Sequence, residues 1–399
     1  MCPVRSPVRG ERRGGASQQS LDIPLSLYIH IPWCLQKCPY CDFNSYAIAP
    51  DDIPEKAYIT ALCQDIRFAF PLIADREIHT VFIGGGTPSL LSPAAVGELL
   101  SFLAGQLRLS QDIEVSIELN PGTFSADKIR AYKESGINRL SIGAQSFKAE
   151  HLALLGRIHS AVQTRQSIET ALCYLDNVNL DMMYALPGQT KEDMESDLHC
   201  ALSYAPAHLS FYQFTVEPDT FFSRHPPVLP DEDTVADMSA QVESTLASAG
   251  YTRYEVSAYA KSGRACRHNL NYWRFGDYLG VGAGAHSKIT RNRVIRQARC
   301  ANPSAYLSCM RTHNPLEKEW EPSDEDIIFE FMLNALRLTD GFSLSLFSAH
   351  TGFPVSVIHN SLVRAEKKEL LVREGESVRP TKKGLLFLTD LQQLFLPDE

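Results

Sequence analysis

Cys34, Cys38 and Cys41 stand in C-x3-C-x2-C spacing within YIHIPWCLQKCPYCDF. With ten cysteines in 399 residues, chance produces such a triplet about once in 160 chains, so composition does not account for it. Three thiolates on one short loop can hold three corners of a cubane iron–sulfur cluster, leaving the fourth iron open to an outside ligand. A structural zinc site takes four protein ligands, and the following Asp42 and Phe43 bring no fourth sulfur. The spacing therefore points to a [4Fe-4S] cluster with one exchangeable corner.

Such a loop needs a scaffold. Apolar runs at Leu25–Ile31, Thr80–Ile83, Ile113–Leu119, Asn138–Ala144, Val178–Met183 and Leu209–Val216 read as strands. Between them, Glu55–Phe70, Ser92–Leu107, Ser125–Ser135, Ser160–Leu175 and Lys191–Tyr204 carry helical spacing. Strand alternating with crossover helix is the mark of an α/β fold with a parallel sheet. Six repeats suit a partial (β/α)6 barrel better than a closed eight-unit barrel, which needs about 250 residues. In such folds chemistry gathers at the C-terminal ends of the strands, and the cysteine loop follows the first of them.

A helix at Asp231–Ala249 and a strand at Tyr254–Ala258 are expected to close this domain, and the Gly-rich GDYLGVGAGAHS (276–287) to pack back onto it. The barrel domain is placed at 23–295. Over 300–399 the pattern changes to helices (Asp324–Leu338, Ser343–His350, Pro354–Arg364) and then the runs Leu370–Arg373 and Ser377–Pro380. This is the order of a small C-terminal helical domain, winged-helix-like, expected to pack on the barrel. Residues 1–22 mix arginines with prolines and glycines and show no hydrophobic period, which reads as a disordered tail.

Composition narrows the class. An apolar share of 44% with 21% charged residues describes a soluble globular chain. No apolar run reaches the eighteen or so residues of a membrane span, and the start lacks the apolar stretch of a secretory signal. A cytoplasmic protein with reduced thiols is expected. Thirty-eight Lys and Arg against 47 Asp and Glu give a net charge of −9, which argues against a nucleic-acid partner. Cys2, Cys63, Cys173, Cys200, Cys300 and Cys309 are scattered and read as inert.

The cysteine motif, with Tyr40 inside it, resembles the radical S-adenosylmethionine (SAM) superfamily. There the methionine end of SAM chelates the open iron, and an electron from the cluster cleaves SAM to methionine and a 5′-deoxyadenosyl radical; an electron donor to the cluster is implied. The resemblance extends along the chain. Gly84-Gly85-Gly86-Thr87-Pro88-Ser89 looks like the superfamily's glycine motif, with Gly85, Gly86 and Thr87 meeting the methionine end of SAM through backbone groups. Glu118 in IELNPGT implies a carboxylate for the ribose hydroxyls, Gln145 in SIGAQSF a further contact, and Arg157 in LLGRIHS a partner for the SAM carboxylate. Asp181 in NLDMMYALPG either contacts SAM or braces the Pro187-Gly188 turn, and Tyr28 is either near the SAM methionine or a core tyrosine.

Within the superfamily, these motifs and FYQFTVEPDTFF resemble the branch of oxygen-independent coproporphyrinogen III oxidase and its relatives, the HemW heme chaperones. The oxidase carries a further cysteine two positions after the third ligand, where this chain has Phe43. HemW proteins carry H-N-x-x-Y-W, matched in full by His268-Asn269-Leu270-Asn271-Tyr272-Trp273. The resemblance implies a protein that binds heme and hands it to acceptor proteins, with no catalytic residue of its own to name. His268 would be the axial ligand, Tyr272 and Trp273 would face the porphyrin, and Arg267 and Arg274 would meet propionates. Two other readings stay open: aromatics that plug the barrel, and Cys266 as the iron ligand. The alternative function is the decarboxylating oxidase itself.

Overall fold

The computed structural model describes residues 23–73 and 75–397, so the expected tail lies outside the described residues. Six strands, β1 (Leu25–Ile31), β2 (Ile78–Gly85), β3 (Leu109–Leu119), β4 (Arg139–Gln145), β5 (Val178–Tyr184) and β6 (His208–Gln213), pair in parallel in chain order. Helices Glu55–Ile73, Pro93–Gln106, Ala126–Glu134, Ala161–Tyr174 and Lys191–Ser203 make the crossovers. Their starts are set locally. Ser92, Ser125, Ser160 and Thr190 each accept a hydrogen bond from the backbone N–H three residues on, and Ser160 and Thr190 complete capping boxes.

The glycine-rich segment does more than pack back. Asp277–Val281 forms β7, parallel to β1 on its free side, from Leu25↔Asp277 to Ile29↔Val281. The six expected units thus gain a seventh parallel strand. Gly280 is required there, since a Cβ on it would lie 2.0 Å from the carbonyl oxygen of His286. Antiparallel strands His286–Thr290, Val294–Arg299 and Leu316–Trp320 extend the sheet beyond β7. The stretch 295–300 lies largely within strand Val294–Arg299, which pairs on both sides. At the other edge, the strand expected at Tyr254–Ala258 lies instead at Ala258–Ala260, antiparallel to β6. Residues 255–257 are held in a turn by the Glu255 carboxylate, which accepts from the Ser257 N–H and hydroxyl.

Burial follows the period-two alternation of the strands. Leu25, Leu27, Ile29 and Ile31, then Val81 and Ile83, Val115, Ile117 and Leu119, Leu140 and Ile142, and Leu180 and Met182 join the helices in one large core. The intervening residues face the barrel interior, and they are polar or aromatic: Tyr28 and His30, Thr80 and Phe82, Glu114 and Glu118, Arg139 and Ser141, Asn179 and Asp181, His208 and Ser210. The hydrophobic effect therefore closes the outer layer and leaves a polar interior.

The C-terminal unit has its own core, built on Phe331, Phe347, Leu362, Leu371 and Val378. Helices Asp324–Ala335, Leu344–Thr351 and His359–Lys367 surround a three-stranded antiparallel sheet in the order Phe342–Ser343, Ser377–Pro380, Leu371–Glu374. This is the expected winged-helix arrangement. It docks on the barrel through Phe275, whose ring packs 5.8 Å from that of Phe331, and through His350, whose Nδ1 bonds the Arg274 carbonyl at 2.7 Å.

Candidate cluster and cofactor site

The cysteine loop leaves the C-terminal end of β1 and is tied at both ends. Trp33–Cys34 pairs with Tyr46–Ala47, and Lys37 Nζ donates to the carbonyls of Phe43 and Ser45 at 3.0 and 3.3 Å. Asn44 Nδ2 donates to the carbonyls of Ala283 and Ala301, while the Asn44 carbonyl bonds His30 Nε2 at 2.8 Å. Gly156 lies so close beneath the loop that a Cβ on it would sit 2.7 Å from Pro39 Cδ; its φ of +65° also suits glycine.

All three thiols are half-buried. Thr87 Oγ1 donates to Cys34 Sγ at 3.4 Å, and Arg157 Nη1 stands 3.9 Å from Cys38 Sγ. Burial pushes the Cys34 and Cys41 thiols up, and the neighbouring thiols add to it. Among the described residues no three His, Cys, Asp or Glu side chains converge closely enough to hold a single metal ion. That arrangement does not suit zinc. A cubane takes one thiolate on each of three irons, and the three half-buried thiols of this one loop are the residues that would hold it.

Arg157 connects this loop to the barrel. Its Nη2 donates to the Gly143 carbonyl at 3.0 Å and its Nη1 to Tyr40 Oη at 3.5 Å, while its buried Nε has no protein partner. A small recess at the mouth is lined by Cys38, Thr87, Asn120, Gly156 and Arg157. The glycine turn differs in one respect from the sequence reading. The N–H groups of Gly85, Gly86 and Thr87 are already given to Glu118 Oε2, the Ile31 carbonyl and the Trp33 carbonyl. The turn thus offers a ligand close approach and not free N–H donors. Gln145 ends β4 with φ +66°, a left-handed conformation rare outside glycine, and accepts from Tyr212 Oη at 2.9 Å.

Below the mouth lies a cavity of about 230 Å³ lined by Tyr28, Phe82, Glu118, Arg139, Ser141, Asn179, Asp181, Ser210, His268, Asn269 and Tyr272. Glu118 and Asp181 both face it. Burial, with the Asp181 charge adding, pushes the Glu118 carboxyl up to about 8, against the Gly85 N–H and Arg139, which pull it down. Asp181 is also raised by burial; it accepts from the Ser141 hydroxyl and Asn179 Nδ2 and does not brace the Pro187-Gly188 turn. Tyr28 bonds His30 Nδ1 at 2.9 Å and is a lining residue, not a core one. The polar lining around a roomy interior suits a ligand rich in hydrogen-bonding groups.

The HNLNYW segment is where expectation and structure part. Helix Arg267–Trp273 closes the N-terminal end of the barrel, away from the cysteine loop, as the residues it bonds show. Glu114 accepts from the N–H groups of Arg267 and His268, and Thr80, near the start of β2, bonds His268 Nδ1 at 2.7 Å. Thr80 Oγ1 also bonds Ser26 Oγ at 2.8 Å, and the other ring nitrogen, Nε2, lies 3.1 Å from the Tyr272 hydroxyl. His268 is 1% exposed, and burial with the Arg139 charge pulls it down to about 3. As packed here, both ring nitrogens of His268 face protein hydroxyls, those of Thr80 and Tyr272. Tyr272 lines the cavity floor, and Trp273 lies under the Arg337 guanidinium at 4.3 Å, both engaged within the protein. Cys266 is 0% exposed and lies beside Glu114. The segment is a plug.

Sequence reasoning missed Arg139, Ser141, Asn179 and Ser210, which complete the cavity wall. Their signal was present: a polar residue at every second position of strands whose other positions are Leu, Ile and Val.

Comparison with known proteins follows these features. Residues 28–201 match the model of the radical SAM superfamily, and residues 323–387 that of the HemN C-terminal domain. The chain is 43% identical to the heme chaperone HemW of Haemophilus influenzae and 44% identical to that of Escherichia coli; each alignment covers 94% of this chain and 99% of the relative. HemW of Bacillus subtilis is 34% identical, covering 93% of this chain and 99% of its own. Among solved structures, coproporphyrinogen III oxidase (HemN) from Escherichia coli superposes with a TM-score of 0.79 at 23% identity, over 95% of this chain and 91% of that one. That likeness gives the fold, and the full-length identities give the family: this chain belongs to the HemW family of the radical SAM superfamily.

Proposed function

We propose that this protein is a heme chaperone: it binds heme and passes it to acceptor proteins, and it carries a [4Fe-4S] cluster that binds SAM. The observation that carries this reading is the agreement, from end to end, with proteins named heme chaperone HemW, at up to 44% identity over 94% of the chain. Phe43, 58% exposed on the cysteine loop, adds to it, because the oxidase branch has a cysteine at that place. The structural likeness to the oxidase, at 23% identity, speaks for the fold and not for its reaction.

Cys34, Cys38 and Cys41 would hold the cluster. With SAM bound, the pair supplies one-electron cleavage chemistry. The chain's own residues position that ligand. Arg157, already beside Cys38, would meet the SAM carboxylate; Gly85, Gly86 and Thr87 let its methionine end approach; Glu118, Gln145 and Asp181 would receive its polar groups; and Tyr28 would pack beside them. Helix Arg267–Trp273 closes the far end against water. An electron donor would approach from the mouth, where Phe43 and the cysteine loop are exposed. A cytoplasmic setting agrees with reduced thiols and with the absence, among the described residues, of a helix long and apolar enough to cross a membrane.

His268, packed between Thr80 and Tyr272, would have to give up the Tyr272 hydroxyl to ligate a heme iron. Titration of anaerobically reconstituted protein with heme, followed by its absorption band, is expected to saturate near one heme per chain, roughly one axial site. Absence of saturable binding would overturn the reading.

A further inference from the structure

Cys300 and Cys309 are nine positions apart, and nothing in the sequence pairs them. The fold does. Cys300 follows strand Val294–Arg299, and Asn302 at once starts helix Pro303–Met310 by accepting from the Ser304 and Ala305 N–H groups. Tyr306 and Met310 turn inward on that helix, and the Tyr306 ring packs 5.6 Å from Tyr58 of the first crossover helix. Cys309, three residues after Tyr306, shares its side of the helix and is brought back to the end of the strand. The two Sγ atoms stand 3.1 Å apart, and both residues are partly exposed.

The strand end is fixed. The Cys300 N–H donates to the Pro315 carbonyl, and the Cys300 carbonyl accepts from Gly284, both at 3.0 Å. A disulfide holds its sulfurs at about 2.05 Å, so closing the pair brings the two sulfurs together by about 1 Å. The next carbonyl, that of Ala301, accepts from Asn44 at 2.9 Å, and Asn44 is the tether of the cysteine loop. The pair therefore lies outside the cluster set but one residue from its anchor.

We propose that Cys300 and Cys309 form a redox-active dithiol, oxidised to an intramolecular disulfide by exchange with a small-molecule disulfide. One thiolate attacks a sulfur of the small disulfide, breaking its S–S bond and releasing one thiol. The second thiolate then attacks the newly bonded protein sulfur, closes the Cys300–Cys309 bond and releases the other thiol. The protein gives up two electrons and two protons, and the small disulfide takes up both. Burial, with the adjoining thiol, pushes Cys300 up to about 11, so the exchange quickens as pH rises towards that value.

The test uses the full chain with its cluster reconstituted, incubated anaerobically with oxidised glutathione, then alkylated, digested and mapped by mass spectrometry. Cys173, exposed and alone, serves as the internal control for attack by glutathione. The expected product is the tryptic peptide spanning 300–311, with Cys300 and Cys309 unalkylated and joined, lighter by two hydrogens and restored by dithiothreitol. In Cys309→Ser that link disappears while the Cys173 adduct persists. Free, alkylated Cys300 and Cys309 in a sample whose Cys173 has reacted would overturn the proposal, as would stable glutathione adducts on either cysteine without the link.

Discussion

Arg157 is the side chain on which the two halves of the site meet: one nitrogen faces Cys38 and Tyr40, another holds the Gly143 carbonyl, and the third is buried without a protein partner. Replacing it with Ala is expected to weaken SAM binding by about 1.5–3 kcal/mol, the size of a charge-assisted hydrogen bond, while the cluster survives. Calorimetric titration of reconstituted protein measures the first and iron analysis the second; unchanged affinity would place SAM elsewhere. Cys34→Ser, Cys38→Ser or Cys41→Ser should each lose the cluster of about four irons, whereas Cys266→Ala should keep it. Glu118 gives a pH dependence with a definite sign. Its carboxyl is raised from 4.5 to about 8, so without ligand it favours the folded state below 4.5, and that stability is lost as pH rises through about 8. Denaturant titrations of the ligand-free protein at pH 5 to 9 should show this fall, and Glu118→Gln should flatten it. A ribose that donates to the carboxylate favours its ionised form, so SAM affinity should climb over the same range in the parent and not in Glu118→Gln.

At the scale of elements, the six strands and five crossover helices were legible because each repeats a strong local signal. Leu, Ile or Val stands at alternate strand positions, and a Ser or Thr precedes four of the helices. β7 was not legible: GDYLGV reads as a loop because Gly280 lowers strand propensity, yet that glycine is there to let His286–Thr290 approach. The cysteine triplet could be picked out by its spacing, while Glu118 and Gln145 at strand ends and Arg157 on the segment after β4 were singled out through the family resemblance. The packing of the HNLNYW segment could not be read, because its letters suit a heme face as well as a plug, and its pairing with Thr80 and Glu114 is tertiary. His268→Ala is therefore expected to cost about 1–3 kcal/mol of folding stability, from the unpaired Tyr272 hydroxyl and the space left behind. It should leave the heme absorption band and stoichiometry as they were; loss of the band with unchanged stability would restore His268 as a ligand.

The whole molecule joins three layers of demand. The outer helices supply the hydrophobic core, which frees the barrel interior to be polar. The C-terminal winged-helix unit presses on the plug from outside, through Arg337 over Trp273 and His350 on the Arg274 carbonyl, so the far end of the cavity stays shut. The mouth carries the cysteine loop and exposed Phe43. A heme chaperone has no need to convert a porphyrinogen. The decisive measurement is chromatography of the porphyrins after reconstituted protein, SAM and a strong reductant are incubated anaerobically with coproporphyrinogen III, alongside a heme titration of the same preparation. Coproporphyrinogen III should be recovered unchanged while heme binds at about one per chain; steady formation of protoporphyrinogen would contradict the chaperone function and make this protein an oxidase.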